Sequence, residues 1–252
     1  GPTIVDDAII VESASNSFTG KLTNLQENTT YYARAYAIND VGVAYGEEVS
    51  FTNSTNGHEY VDLGLSVMWA TCNVGADSPE DYGDYFAWGE TEPKDVYDWS
   101  TYKYCNGSST TLTKYNTQNS YGTVDNKTVL EVVDDAATAN WGGVWRMPTY
   151  EEFQELISNC TWKWTTLNNV SGYMVTSNIN GRTIFMPITG YIASTTSVKN
   201  ESGFYWSSSL YETYPDNIRF LYFDNDEIFI TTLYERNYNG RNYGQPIRPV
   251  CP

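Results

Sequence analysis

The sequence has few of the residues from which enzymes most often build active sites. Its only histidine, His58, adjoins the polar, glycine-containing stretch 53–57, which we interpret as a linker. No Ser-His-Asp or Cys-His arrangement is therefore expected around a base inside a domain. No glycine-rich phosphate loop follows a predicted strand and opens a helix, and the many acidic residues do not single out a glycosidase pair. We expect a protein that is not an enzyme and that binds no nucleotide.

Basic residues and long apolar runs are also scarce. The chain has 14 Lys and Arg residues against 31 Asp and Glu residues, which gives a net charge of −17. This charge repels both nucleic acid and an anionic membrane surface. The sequence contains neither a run of about eighteen apolar residues nor the pattern of an export signal. We therefore expect no nucleic-acid partner and no membrane insertion in this stretch, with any export signal or anchor outside it.

The four cysteines are too widely spaced to predict a zinc site. Cys72, Cys105, Cys160 and Cys251 form no Cys-x-x-Cys pair and no cluster with histidine. In an oxidising compartment they would form two disulfides by any of three pairings. The alternative is that they are buried thiols, and the sequence leaves both states open.

The abundant residues are those of secreted or cell-surface binding proteins. Aromatic residues make up 15% of the chain, which includes 22 tyrosines, and Asn, Ser and Thr are frequent. We interpret this composition as that of a β-rich protein that acts outside the cell. Residues 106–126 almost lack large aliphatic side chains, so we predict that they form an exposed loop.

The N-terminal part of the chain has the pattern of a β-sandwich edge. Residues 18–52 alternate apolar and polar side chains at period two, with turn signals between the runs, which predicts antiparallel strands. They resemble the last strands of bacterial fibronectin-type-III-like repeats, through Leu25, Asn28 to Tyr32, Arg34 to Tyr36, and Gly46. The resemblance implies a partial β-sandwich over residues 1–55, because only the back half of such a module fits into that length.

Two short helices are predicted in the remainder of the chain. Thr149 and Glu152 form a capping-box pattern, and apolar residues then recur at helical spacing, which predicts a helix over Tyr150–Asn159. A second helix is predicted over residues 134–139, whose first two residues, both aspartates, suit the positive end of the helix dipole. The alternative for this aspartate pair is a catalytic function, for which adjacent residues on a helix are badly placed.

The most specific pattern is a series of aromatic, glycine and arginine motifs after residue 141. They are Gly142 to Thr149, Gly181 to Pro187, Gly203 to Ser208, Leu221 to Phe223, and Arg241 to Val250. These motifs resemble a paralogous surface domain of Bacteroidetes and Fibrobacter. That domain is similar to the C-type-lectin fold of the formylglycine-generating enzymes and of the variable proteins of diversity-generating retroelements. The resemblance implies an α+β domain over residues 57–252, with short strands, two helices and long loops.

Three arginines belong to these motifs, namely Arg146, Arg241 and Arg248. The planar guanidinium group forms several hydrogen bonds in a fixed geometry. We expect these three side chains to hold loop carbonyls or carboxylates inside the scaffold. The alternative is that they contact a ligand.

The stretch 207–243 has the composition of a binding surface. It contains no Lys, Gln, Met or Trp, while Asn, Asp, Tyr, Ser, Thr and Arg crowd its loop-like pieces. Antibody paratopes share this composition, because Tyr gives rigid amphipathic area and Ser, Asn and Asp give adaptable hydrogen bonding. We predict that this stretch binds the ligand. The predicted contact residues are Tyr211, Thr213, Tyr214, Asp216, Asn217, Asp224, Asn225, Asp226, Tyr234, Arg236, Asn237, Tyr238, Asn239, Asn242 and Tyr243.

The same composition also has a genetic interpretation. Randomising the adenines of the Asn codon AAC yields many residue types but never Lys, Gln, Met, Trp or Glu, and retroelement-diversified lectin folds vary their binding face in this way. Glu212, Glu227 and Glu235 would then be unmutated template positions. The alternative is a set of ordinary binding loops, since Asn- and Tyr-rich turns are normal in a strand-rich surface protein.

Calcium is the one metal for which ligands are apparent. Asp224, Asp226 and Glu227, or Asp81 and Asp84, carry suitable oxygen atoms. However, the sequence lacks the Glu-Pro-Asn, Gln-Pro-Asp and Trp-Asn-Asp signatures of calcium-dependent sugar-binding lectins. We interpret these residues as solvated turns and expect no metal and no cofactor.

These observations predict a non-enzymatic adhesin or receptor-binding protein of a bacterial cell surface. Its expected ligand is an extracellular protein or a glycan. The alternative is a carbohydrate-binding module of a polysaccharide-foraging system. In that case Trp99, Trp162 and Trp164 would be the platforms that stack on sugar rings.

Overall fold

The chain divides into two compact units, residues 1–57 and 58–252. In the described part of the chain, every buried side chain except that of Thr55 belongs to the second unit. The computed structural model describes residues 2–9, 22, 26, 29–53, 55–198, 202–232 and 240–252.

The first unit contains two antiparallel two-stranded sheets. The strands are β1 (Thr29–Ala33), β2 (Tyr36–Asn39), β3 (Gly42–Tyr45) and β4 (Val49–Asn53). β1 pairs with β4, and β2 pairs with β3. Apolar side chains remain exposed on these strands, among them Ile38 at 62% and Val49 at 60%. Among the side chains that the structure describes on these four strands, none is buried.

The second unit consists mostly of short antiparallel strands with two α-helices, which agrees with the α+β class. With 6 and 10 residues, the two α-helices of the described ranges are far shorter than the roughly 20 residues that cross a bilayer. The elements are β5 (Tyr60–Val61), β6 (Met68–Ala70), α1 (Ala136–Trp141), α2 (Tyr150–Asn159), β7 (Cys160–Leu167), β8 (Val170–Ser177), β9 (Thr183–Pro187), β10 (Tyr191–Ala193), β11 (Thr196–Val198), β12 (Gly203–Leu210), β13 (Ile218–Phe223), β14 (Ile228–Thr232) and β15 (Val250–Cys251).

The sheets of the second unit are small and separate. β7, β8 and β9 form one antiparallel sheet, and β12, β13 and β14 form another, while β10 pairs with β11. The first strand of the unit, β5, and its last strand, β15, both pair with β6. The beginning and the end of this unit therefore meet in one three-stranded sheet.

The β12–β13–β14 sheet lies between two hydrophobic clusters. Successive side chains of a strand point to opposite faces. Phe204 and Trp206 of β12 enter one cluster, and Tyr205 between them enters the other. On β13, Phe220 and Leu221 divide between the two clusters in the same way. Because all eight residues of β12 are buried, this strand has little freedom to move.

The helix α2 has the boundaries that the sequence predicts. The Thr149 hydroxyl accepts a hydrogen bond from the Glu152 amide at 3.2 Å, and the Glu152 carboxylate accepts one from the Thr149 amide at 2.8 Å. This reciprocal pair is the predicted capping box. Phe153 and Leu156 on the inner face of the helix are fully buried in the second cluster.

The shorter helix begins later than predicted. α1 covers Ala136–Trp141, and Asp135 is its N-cap, because its carboxylate accepts the Thr138 amide at 3.0 Å. Asp134 instead ends a preceding 3₁₀ helix, Val132–Asp134. The prediction that both aspartates lie in the first turn of one helix is therefore wrong, and only Asp135 caps it.

The three motif arginines all hold the scaffold, as predicted. Arg241 is fully buried and donates to the carbonyl oxygens of Tyr115 and Lys114 at 2.7 Å each. Arg248 is also fully buried and donates to the side-chain oxygen of Asn73 and to the carbonyls of Ala70 and Thr71. Arg146 forms a two-pronged ion pair with Glu152.

The prediction of an exposed loop at residues 106–126 is only partly correct. The segment has no regular strand, yet Leu112, Tyr115 and Asn116 are buried in it. The Asp125 carboxylate accepts the backbone amides of Tyr115 and Asn116 at 2.9 Å each, and Arg241 holds the carbonyls at residues 114 and 115. Hydrogen bonds therefore pin the middle of this loop to the core.

None of the four cysteines forms a disulfide. Cys160 and Cys251 are buried, and the Cys72 and Cys105 thiols donate to the carbonyls of Ala76 and Trp99. Burial raises the pKa of the Cys160 thiol to about 11. The sequence is compatible with either two disulfides or free thiols, and in the structure all four cysteines are free thiols.

Candidate binding site

The predicted contact residues that the structure describes do not form one surface. Residues 211–217 join β12 to β13, whereas residues 224–227 join β13 to β14. The two connections therefore lie at opposite ends of β13. Its six residues separate them by roughly 20 Å, at about 3.3 Å per residue. Asp224, Asn225 and Asp226 are thus remote from the predicted contact residues of the 211–217 connection.

The 224–227 connection is a hydrogen-bonded turn. One Asp224 carboxylate oxygen accepts the backbone amides of Asp226 and Glu227 at 2.9 and 3.0 Å, and the other accepts the Tyr222 hydroxyl at 2.8 Å. The Asp224 side chain therefore stabilises the turn through these three hydrogen bonds. Asn225 and Asp226 are exposed beside it. Within the described ranges, no three His, Cys, Asp or Glu side chains cluster as a metal site would require.

The 211–217 connection is a compact loop with exposed side chains at its tip. The Tyr214 amide donates to the Tyr211 carbonyl at 3.1 Å, and the Asn217 amide donates to the Tyr214 carbonyl at 2.8 Å. Thr213 is exposed, and Tyr211 and Tyr214 are half-buried with ring centroids 5.9 Å apart. These three side chains are the predicted contact residues that remain available to a ligand on this loop.

Asp216 and Asn217 at the end of this loop bind the scaffold. The Asp216 carbonyl accepts the Arg241 amide at 3.0 Å. Burial raises the pKa of the Asp216 carboxyl above its ordinary value. Asn217 is only 9% exposed, and its side-chain amide donates to the Asp216 carboxylate at 2.8 Å. The structure therefore places the Asn217 side chain in the interior, hydrogen-bonded to its neighbour, and not among the exposed side chains of the loop.

Asn242 and Tyr243 also belong to the interior. Asn242 is 2% exposed and its amide donates to the Tyr97 carbonyl at 3.4 Å, so the structure places this predicted contact residue in the interior. The Tyr243 ring stacks on the Tyr191 ring at 5.4 Å and 4°. Tyr243 is half-buried, and one face of its ring packs against Tyr191 of β10.

Five predicted contact residues lie outside the described residues, and both chain ends that flank them are described. On one side Thr232 pairs with Arg219 at the start of β13. On the other side Gly240 packs so tightly that an added Cβ would lie 2.3 Å from the Trp99 ring. Both flanks therefore lie at the end of the sheet that carries residues 211–217. The five residues are Tyr234, Arg236, Asn237, Tyr238 and Asn239.

Two residues beside this loop, Arg219 and Tyr150, are not among the predicted contact residues. The guanidinium carbon of Arg219 lies 4.3 Å from the centroid of the Tyr150 ring and 5.3 Å from that of Tyr211. Tyr150 is the first residue of α2, and Arg219 lies on β13, so three separate elements converge here. No spacing rule connects these positions, although Arg219 is the only basic residue between 207 and 235.

The aspartate pair at 134 and 135 is divided between two hydrogen-bond networks. Burial alone would raise the pKa of Asp134, but hydrogen bonds from Lys114, Tyr104 and Tyr115 outweigh it and hold that pKa below its ordinary value. Burial raises the pKa of Asp135, whose carboxylate accepts backbone amides. The two carboxyl groups thus hold different parts of the scaffold.

The three tryptophans proposed as sugar platforms are half-buried. Trp162 and Trp164 both make edge contacts with the Tyr173 ring, at 5.7 and 5.1 Å. Trp99 makes a similar contact with Tyr102 at 5.7 Å and packs against Gly240. Part of each tryptophan ring thus packs against neighbouring side chains and is not exposed.

An apolar cavity of about 180 Å³ lies beside the β7–β8–β9 sheet, with Leu167, Met174, Ile184 and Phe185 in its wall. The only polar side chains in its lining are those of Thr71 and Thr183.

Comparison with known protein families, curated proteins and solved structures found no match to this chain.

Proposed function

We propose that this chain is a non-enzymatic binding protein of a bacterial cell surface, and that residues 211–217 are the centre of its ligand-binding surface. One observation carries the proposal. The loop joins two buried strands, yet it carries Tyr211, Thr213 and Tyr214 at the surface. Tyrosine is well suited to such a site, because it offers a large contact area at low entropic cost.

The rigidity of the base supports this proposal. β12 and β13 are packed between two hydrophobic clusters, and carbonyls of the loop accept hydrogen bonds from the Arg241 amide at Asp216 and from the Thr117 hydroxyl at Glu212. A binding site needs such support, because a loop that is ordered before binding loses less entropy when the ligand arrives. The ligand in this proposal is an extracellular protein.

We further propose that residues 57–252 form a C-type-lectin-like domain, with residues 1–55 as a partial fibronectin-type-III-like spacer. The motifs described above support the first assignment. So do the two α-helices, the short strands and the long segment 71–135, which has neither α-helix nor strand beyond isolated bridges and 3₁₀ turns. The antiparallel strands β1 to β4 support the second.

Binding arrays test the proposed function. Wild-type protein is applied to an array of extracellular proteins and to an array of glycans, together with a Thr213→Ala/Tyr214→Ala variant. We expect a protein target that the wild type binds and that the loop variant binds at least about tenfold more weakly, as for loss of a hot-spot side chain. An Asn225→Ala/Asp226→Ala variant is the matched control, because it changes two exposed residues at the opposite end of β13.

The control variant should bind like the wild type. If the loop variant retains every target of the wild type, the ligand-binding surface is elsewhere and the proposal is wrong. If the wild type binds only glycans, and the Thr213→Ala/Tyr214→Ala variant binds them equally well, the carbohydrate-binding alternative replaces it.

The diversification hypothesis has a separate test at the level of the gene. We propose that the exposed loop positions vary between sibling strains while the buried positions do not. Substitutions should concentrate at Tyr211, Thr213 and Tyr214 and spare residues 203–210 and 218–223, because changes there would disturb both hydrophobic clusters. The locus should also contain a reverse transcriptase gene and a near-copy repeat of the coding sequence for the variable stretch. Substitutions spread evenly along the chain would contradict diversification.

A further inference from the structure

The basic side chains of this acidic protein nearly all have partners. Six of those that the structure describes form ion pairs with carboxylates, and three donate to backbone carbonyls. They are Lys94, Lys103, Lys114, Lys127, Arg146 and Arg182 in the first group, and Arg34, Arg241 and Arg248 in the second. Two described basic residues belong to neither group, namely Lys163, which is exposed on β7, and Arg219.

Arg219 differs from Lys163 because it is held in place. It is half-buried, and its guanidinium group contacts the rings of Tyr150 and Tyr211. Such cation–π contacts fix the group but do not use its N–H donors, which lie at the edge of the guanidinium plane. Within the described part of the chain, Arg219 takes part in none of the ion pairs, and no carboxylate or carbonyl accepts a hydrogen bond from its guanidinium donors. Among the described residues, the guanidinium group is thus held by two rings with its donors unused.

We propose that Arg219 is the receptor for a carboxylate, supplied by an Asp or Glu side chain of a protein ligand that docks on residues 211–217. The inference rests on the proposed function and names the chemistry of that same site. A guanidinium group binds a carboxylate through two parallel N–H···O bonds, which gives both strength and orientation. Tyr150 and Tyr211 would keep the guanidinium group in the orientation that this bond needs.

The composition around Arg219 favours a protein ligand over an acidic sugar. Tyrosine and arginine are enriched at the energetic centres of protein interfaces. The ring faces of Tyr150 and Tyr211 that contact Arg219 are already occupied, so those faces are not open to a sugar ring. The net charge of −17 disfavours a strongly acidic partner at long range. The carboxylate is therefore expected as one group on an otherwise neutral or basic ligand segment.

Nuclear magnetic resonance of the arginine side chains tests this proposal directly on the full chain. The Nε–Hε signals are followed during titration with N-acetylglutamate amide, N-acetylglutamine amide and glucuronate. The Arg219→Lys variant identifies the Arg219 signal by its loss. We expect a saturable shift of that signal with the glutamate probe, at least about threefold larger than the shift of Arg182, and none with the glutamine probe. Arg182 is the matched control, because it is an exposed arginine outside the site.

Three results would overturn the inference. They are no shift with the glutamate probe, equal shifts at Arg182 and Arg219, and tighter binding of glucuronate, which would assign the site to an acidic sugar. The binding arrays separate this failure from failure of the proposed function. Suppose that the Arg219→Gln variant still binds the array target and the Thr213→Ala/Tyr214→Ala variant does not. This result would reject Arg219 as a carboxylate receptor and would still support residues 211–217 as the binding loop.

Discussion

At the scale of single residues, buried arginines hold segments that are distant in the chain. Arg241 is fully buried and binds two carbonyls of a loop that lies more than a hundred positions earlier in the sequence. A buried guanidinium group is retained only where hydrogen bonds offset its desolvation. The site loop depends on the same residue, because the Arg241 amide donates to Asp216.

Replacing Arg241 should therefore weaken the whole second unit. We expect Arg241→Met to lower the free energy of unfolding by about 2 to 5 kcal/mol, because two buried carbonyls lose their donor. Urea unfolding followed by tryptophan fluorescence measures this, since all eight tryptophans lie between residues 69 and 206, within the second unit.

Arg182→Met is the control for this change. Arg182 is exposed and its ion pair with Asp62 spans 3.8 Å, so we expect a change below about 0.5 kcal/mol. Equal effects of the two substitutions would contradict the structural role of Arg241.

Some residue roles could be predicted from the sequence and others could not. The three motif arginines were predictable, because each belongs to an aromatic and glycine motif and a guanidinium group forms several hydrogen bonds in a fixed geometry. Asn217 and Asn242 were not, because the sequence around them has the same polar composition as the exposed loop. Only tertiary packing buries these two side chains. Arg219 was missed because its two aromatic neighbours come from other elements.

At the scale of elements, local signals gave the boundaries of α2 but not those of α1. The capping box of α2 lies within four consecutive residues, so the sequence contains all of its partners. The loop at residues 106–126 is the opposite case. Its buried middle depends on Arg241, which no local pattern could indicate. The division of the predicted site also escaped prediction, because it follows from strand order and not from composition.

The capping box gives a prediction for α2. Thr149→Ala removes the hydroxyl that accepts the Glu152 amide, and we expect the free energy of unfolding to fall by about 0.5 to 2 kcal/mol. Thr149→Ser keeps an acceptor and should lose less than Thr149→Ala. Circular dichroism and urea unfolding measure both variants, and equal losses would mean that the hydroxyl is not what matters.

At the scale of the whole molecule, the many carboxyl groups couple stability to pH. The pKa of Asp134 lies below its ordinary value in the folded state. Asp134 therefore contributes stability above its ordinary pKa, and that contribution is lost as the pH falls through the lowered value. Burial raises the pKa of Asp135, so Asp135 has the opposite effect on stability as the pH falls.

These two directions predict opposite results for two neighbouring substitutions. Between about pH 5 and about pH 2, Asp134→Asn should make the unfolding free energy less dependent on pH, and Asp135→Asn should make it more dependent. Urea midpoints from tryptophan fluorescence at each pH measure the slopes. Parallel slopes for the wild type and both variants would contradict the assigned pKa directions.

The pairing of β5 and β15 with the same strand has a consequence for the order of the chain. Val61 and Val250 both lie opposite Trp69, so the two strands run in the same direction roughly 10 Å apart, which is twice the spacing of neighbouring strands. A short linker would span that gap. The second unit is thus suited to circular permutation, with new chain ends at an exposed position such as Gly107 and with every sheet pairing retained.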